Sequence, residues 1–129
     1  MIGGRPGEER GSVTIVTAGI VAIMVFLTLG AADLGAALLA RERARAAADA
    51  AALAAAQELA LPSTVEPAER ALEYAARNGG ALIACTCPRG ARDATVRVSI
   101  PVGHLFLFPG AHEVVAEARA VVDVPGTSP

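Results

Sequence analysis

The chain has 129 residues, of which 53% are hydrophobic but only 3% aromatic, with no Trp. Its formal net charge of -2 gives no general attraction to nucleic acid, and all eleven basic residues are Arg. Alanine supplies much of the apolar count, so the length allows one small domain with a thin core that draws part of its stability from lipid or partners.

Residues 1–11 read as a short charged leader. From Ser12 to Leu61 the sequence predicts one unbroken helix in two halves, ~75 Å long at ~1.5 Å per residue. The first half, Val13 to Ala32, is an uncharged run of twenty residues without proline. About 20 such residues match the ~30 Å hydrocarbon core of a bilayer. A cleaved secretory signal has a shorter apolar stretch and a break after it. Here helical sequence continues to Pro62, which favours a permanent anchor. The chain left over is too small to wrap this run as the buried helix of a soluble domain.

Asp33 follows the run at the expected membrane boundary, where a carboxylate costs much less than at the bilayer centre. It reads either as an end marker or as a contact for a basic group on a neighbouring helix. Small residues surround it: Gly30, Ala31, Gly35, Ala36 and Ala37, with Gly19 and Ala22 deeper in the span. Such surfaces let membrane helices approach closely. The second half is an Ala-rich stalk. Arg41, Arg45 and Asp49 share a face at spacings of four, and Glu42 reaches Arg45 at i+3. Leu38, Leu39, Leu53, Leu59 and Leu61 are its sparse apolar anchors. The stalk suits helix packing in an assembly or on the chain's own small domain. Pro62 ends it.

This order of features resembles the N-terminal segment of TadE- and TadG-like proteins of Flp/Tad pilus assembly systems. The residues that carry the resemblance are Arg10-Gly11-Ser12-Val13, the apolar span, Ala32-Asp33-Leu34-Gly35, the basic Arg41, Arg43 and Arg45, and Ala47-Ala48-Asp49-Ala50-Ala51-Ala52-Leu53-Ala54-Ala55-Ala56. Asp33, Gly35 and Asp49 match the family's Asp-x-Gly and Ala-Asp-Ala-Ala-Ala-Leu positions, and the likeness covers about residues 10 to 57. The total length is similar to the small TadE-like proteins of high-GC actinobacteria. The resemblance implies a single-pass protein of the cell membrane with its C-terminal domain outside the cytoplasm. It also implies packing, through Gly30, Asp33, Gly35 and Asp49, against other subunits of a pilus or secretion apparatus. Gly11 and Ser12 mark the candidate processing point. Prepilins carry a Glu five residues after the cleavage Gly, whereas Val16 stands there, and no acid occurs from Val13 to Ala32. An uncleaved anchored component fits that departure better. Arg5 and Arg10 before the span, against Arg41, Arg43 and Arg45 after it, leave orientation by charge undecided.

Residues 62–129 read as a small α+β domain. Pro67 suits the first position of a helix running to Asn78, with Gly79 as its stop and Leu72, Ala75 and Ala76 inward. A capping box at Ser63 and Glu66 competes. Tyr74 reads as packing. Ala81–Cys87 predicts a strand and Pro88-Arg89-Gly90 a turn. Val96, Val98, Ile100 and Val102 alternate with Thr95, Arg97 and Ser99. Val114, Ala116, Ala118, Ala120, Val122 and Val124 alternate with Glu113, Glu117, Arg119 and Asp123. Period two with one polar face predicts an antiparallel sheet of about three strands, covered on one side by the second helix or the lower stalk. The fold class is α+β, a long transmembrane and stalk helix against a small sheet on a pilin-like plan. Residues 125–129 read as a frayed tail.

Cys85 and Cys87 form a Cys-x-Cys, either a disulfide in an oxidising space or two reduced, half-buried thiols. No metal site is expected, since His104 and His112 lack ligand spacing. The His104–Gly110 segment carries Phe106 and Phe108, which either tuck under the sheet or form a patch for a partner subunit or the membrane surface. No catalytic motif occurs, so no enzyme activity, cofactor or small-molecule substrate is expected. The alternative to a pilus component is a signal-anchored extracytoplasmic binding module with no pilus role.

Overall fold

A computed structural model describes residues 6–123 and the side chains from Arg10 onward. The leader residues 1–5 and the tail 124–129, with the inward place expected for Val124, lie outside the described residues. Helix α1 (Pro6–Ala60) is one continuous element of 55 residues. It is followed by α2 (Pro67–Arg77), β1 (Ala81–Thr86), β2 (Asp93–Pro101) and β3 (Glu113–Val121). The strands form one antiparallel sheet in the order β1-β2-β3. The architecture is α+β with the expected element order.

The back half of α1 covers β2 and β3, and α2 covers β1. The expected alternation holds on β2, where Val96 and Val98 are fully buried and Ile100 is nearly so. On β3, Val114, Ala116, Ala118 and Ala120 face the same core. Ser99 differs from its expected outward exposure and is 6% exposed, between Ala81 and Val115 in register. The edge strand β1 slips by one residue between Leu82 and Ala84. This bulge at Ile83 lets Leu82 and Cys85, three apart, both pack on the core.

The stalk is the core of the domain beside it. Ala44, Ala47, Ala48, Ala51 and Ala55 are fully buried, and Ala40 nearly so. Of the five leucines expected as anchors, only Leu59 packs on this core. Leu38, Leu39, Leu53 and Leu61 are exposed. Leu72 and Ala76 are exposed against expectation, while Ala75 is buried as expected, together with Pro67 and Ala71. The reason is close approach. With buried alanines on both faces, α1 and α2 can pack closely, and a leucine between them would hold them apart.

Local chemistry sets the boundaries of α2. Pro67 opens it, and Glu66 is the N-cap residue without a side-chain cap bond, so the capping box does not form. At its end Gly79 donates to the Ala76 carbonyl (3.0 Å) and Gly80 to that of Ala75 (2.9 Å). Gly79 takes φ +77°, so this is a Schellman turn. Gly80 is held by space, because a Cβ there would collide with the Val98 side chain and meet Ala47 Cβ at 3.4 Å. Two arginines tie the connections. Arg70 donates to Glu58 of α1 (2.8 Å) and to Glu73 (3.0 Å). Arg89 donates to Glu66 (2.9 Å) and to the carbonyls of Ser63 (3.0 Å) and Val65 (2.9 Å). A side-chain bond from Ser63, then the one from Arg70, holds the Glu58 carboxyl below its usual range.

Candidate functional site

From Val13 to Thr28 the first half of α1 is exposed throughout. From Val13 to Leu27 its large apolar side chains are 52% (Val25) to 75% (Ile15) exposed. Its three hydroxyls are satisfied within the helix. Thr14, Thr17 and Thr28 each donate to the carbonyl four residues earlier, at 2.9, 2.8 and 2.8 Å. A helix that meets all its own hydrogen bonds and shows only apolar side chains is suited to hydrocarbon. By length and composition it is a candidate membrane span.

Asp33 stands where exposure gives way to packing. It is 6% exposed although it carries a carboxylate. One oxygen accepts the backbone N–H of Phe106 at 2.7 Å and the other that of Leu107 at 2.8 Å. Both oxygens thus accept backbone N–H groups of a loop 73 and 74 residues away in sequence. Such charge-assisted bonds to consecutive amides hold a loop that has no ladder of its own. The loop is closed by Val102 donating to the His112 carbonyl (2.8 Å), and His112 lies 3.1 Å from the Phe108 carbonyl oxygen. Leu105 is buried, and Leu107 lies against Gly30, where a Cβ would meet it at an ordinary 3.6 Å. Gly30, Asp33, Leu34, Ala37, Leu105 and Phe108 line a shallow cleft between helix and loop.

Of the two places foreseen for the aromatic pair, under the sheet or on the surface, Phe106 and Phe108 take the second, at 61% and 65% exposed. His104 stacks on Phe106 with ring centres 6.0 Å apart. The other proposed packing positions divide by face. Asp33 points inward with the buried alanines. Gly35 and Asp49 lie on the opposite, exposed side, where a Cβ on Gly35 would meet nothing. Leu38, Leu39, Glu42, Ala46 and Leu53 share that side by helical spacing, all exposed. Asp49 makes no hydrogen bond or ion pair among the described residues, while Arg45 pairs with Glu42 at 3.2 Å. Gly11 and Ser12 lie within α1 and are exposed. Cys85 and Cys87 are joined as a disulfide, with Cα atoms 5.5 Å apart. Among the described residues no cluster of three or more His, Cys, Asp or Glu could hold a metal ion.

The Asp33 latch escaped the sequence reading. Asp33 precedes Ala40 and Ala44 by two and three helical turns, so it lies on the stripe that faces the core.

Residues 11–58 match the family model described as "Putative Flp pilus-assembly TadE/G-like". The matched segment covers the candidate span, Asp33 and the buried alanine face of α1, and not the loop that Asp33 holds. No curated protein and no solved structure matches the chain.

Proposed function

We propose, from the premise that residues 11–58 form a TadE/G-like Flp pilus-assembly domain, that this chain is a membrane-anchored structural component of a Tad/Flp-type pilus or related secretion apparatus. It acts as a minor pilin-like or accessory subunit. One observation carries this reading. A bare apolar half-helix continues without a break into a half-helix that is the core of the attached domain. Such a joint transmits position rigidly from the bilayer to the domain, as a scaffold part requires. The domain boundaries that follow are a leader at 1–11, a membrane and stalk helix at 12–61 and an exported domain at 62–129.

The exposed side of α1 offers the subunit contact. Gly35, Leu38, Leu39, Asp49 and Leu53 face outward from the domain's own packing, so a helix of another subunit can lie along them. The Cys85–Cys87 disulfide suits an oxidising compartment, which supports reading the domain as lying outside the cytoplasm. With no acid between Val13 and Ala32, a prepilin-type Glu does not contribute to filament packing, and an uncleaved anchor at Gly11-Ser12 is the simpler form.

Deletion of the gene in its native host tests this. Surface pili should be lost, restored by the full chain, and not restored by a chain whose 13–32 segment is replaced with a cleavable signal. Normal piliation in the deletion strain would contradict the assembly role and leave the signal-anchored binding module.

A further inference from the structure

The chain holds three Phe residues, and none is buried. Phe26 lies on the candidate span at 64% exposed, and Phe106 and Phe108 lie on the loop at 61% and 65%. Phe106 and Phe108, two exposed aromatic side chains on one loop beside the span, form an apolar patch of the kind that marks a contact surface. The loop's position bears on what that surface meets. Asp33, which holds the loop, follows the last residue of the apolar run, and it lies ~30 Å along the helix from Val13. Phe106 and Phe108 are therefore carried at the level where the span leaves hydrocarbon.

The backbone is prepared for that depth. Where water thins, exposed N–H and C=O groups become costly. Here the amides of Phe106 and Leu107 go to Asp33, and the Phe108 carbonyl lies beside the His112 ring. Leu105 is buried and Leu107 lies against Gly30, whereas Phe106 and Phe108 stay largely exposed, Phe108 at the edge of the cleft between loop and helix. This division separates side chains that fix the loop from side chains that remain available. The adjoining cleft, with Gly30, Leu34 and Phe108, makes the apolar surface continuous from span to loop.

We propose that the His104–Gly110 loop is a lipid-contacting element, in which Phe106 and Phe108 enter the boundary between headgroups and acyl chains beside the span, with Asp33 as the positioning residue that holds them there. Apolar side chains at this depth add membrane binding in the manner of interfacial segments. The loop thereby gives the domain a second attachment and fixes its rotation about α1. This proposal rests on the membrane-anchored reading above.

The absence of native Trp makes a direct test available. The full chain is reconstituted in phosphatidylcholine–phosphatidylglycerol vesicles as single variants Phe106→Trp, Phe108→Trp, Phe26→Trp and Val121→Trp. Val121 is 66% exposed at the end of β3 far from the loop. Emission of Phe106→Trp and Phe108→Trp should lie to the blue of Val121→Trp. Brominated lipid should quench them several-fold more strongly, and aqueous iodide several-fold less. Adding Asp33→Ala to Phe106→Trp should move its emission to the red and restore iodide quenching, while Val121→Trp in the same background stays unchanged. If Phe26→Trp is quenched by lipid and the loop variants behave like Val121→Trp, the loop proposal is overturned and the anchor survives. Protection of the loop variants from both quenchers would assign the patch to a protein partner and also overturn it. If Phe26→Trp itself escapes brominated lipid, both the anchor and the loop proposal fail.

Discussion

The two halves of α1 differ in composition and in what the fold does with their smallest side chains. Before Asp33, large side chains such as Ile15, Phe26 and Leu27 are exposed on every side. After it, the smallest side chain, alanine, is what the fold buries, and Leu38, Leu39 and Leu53 are left outside. Large apolar side chains are exposed in both halves, whereas alanine is exposed in the first and buried in the second, because the halves meet different surroundings. The first is suited to hydrocarbon, where a leucine gains nothing from being covered. The second lies against a sheet and a helix, where the gain comes from close approach, and the narrowest residue gives the closest approach.

Substitutions that add bulk should expose this contrast most strongly. Ala48→Leu, at a position with no exposed surface, should destabilise the domain by about 3 kcal/mol through overpacking against the sheet. The same change at the exposed Ala22 should leave the melting temperature of the detergent-purified protein unmoved. Equal effects at the two positions would remove the distinction between the halves. Next in size is Gly80→Ala, whose methyl group would collide with Val98. It should cost about 2 kcal/mol, seen as a lower denaturation midpoint.

A smaller effect is expected at the junction. Asp33→Ala takes the acceptor from two amides and should cost about 1–2 kcal/mol. Hydrogen exchange should speed up at Phe106 and Leu107 and not in β2. Asp49→Ala removes no contact among the described residues and should stay within about 0.5 kcal/mol of wild type while impairing assembly. If Asp49→Ala destabilised the isolated chain as much as Asp33→Ala, the division of the two acids into inner and outer faces would be wrong.

The smallest effect concerns acid. Glu58 titrates below its unfolded value because of its bonds to Ser63 and Arg70. Its contribution is therefore complete above the ordinary carboxylate range and is lost as pH falls through the depressed value. Glu58→Gln should flatten the fall in melting temperature between neutral and acidic pH by a small amount. No change in that slope would mean that the clamp between α1 and α2 does not hold in solution.

Much of this was legible in the sequence, for reasons that separate local from distant information. The strands β2 and β3 are written in the alternation of Val96, Val98 and Ile100 with Thr95 and Arg97, and of Ala116 and Ala118 with Glu117 and Arg119. Pro67 and Gly79 mark the ends of α2 by backbone chemistry alone. The inward face of α2 was less legible, because Leu72 is its most apolar residue, yet interhelical distance selected Ala71 and Ala75. The core-facing side of the stalk was obscure for a related cause. A run of alanines has almost no contrast between faces, and only Glu42, Arg45 and Asp49 hinted at the outer one. The latch between Asp33 and the loop joins residues more than seventy positions apart, and no local pattern announces such a pair. The same holds for the exposure of Phe106 and Phe108, which depends on where that latch sets the loop.

Alkaline carbonate extraction of the intact chain from native vesicles tests the central claim most directly, that α1 is a single rod with its front half in lipid and its back half as the core of the domain. The full-length polypeptide should remain in the membrane pellet at high pH. Its release into the supernatant would contradict the account.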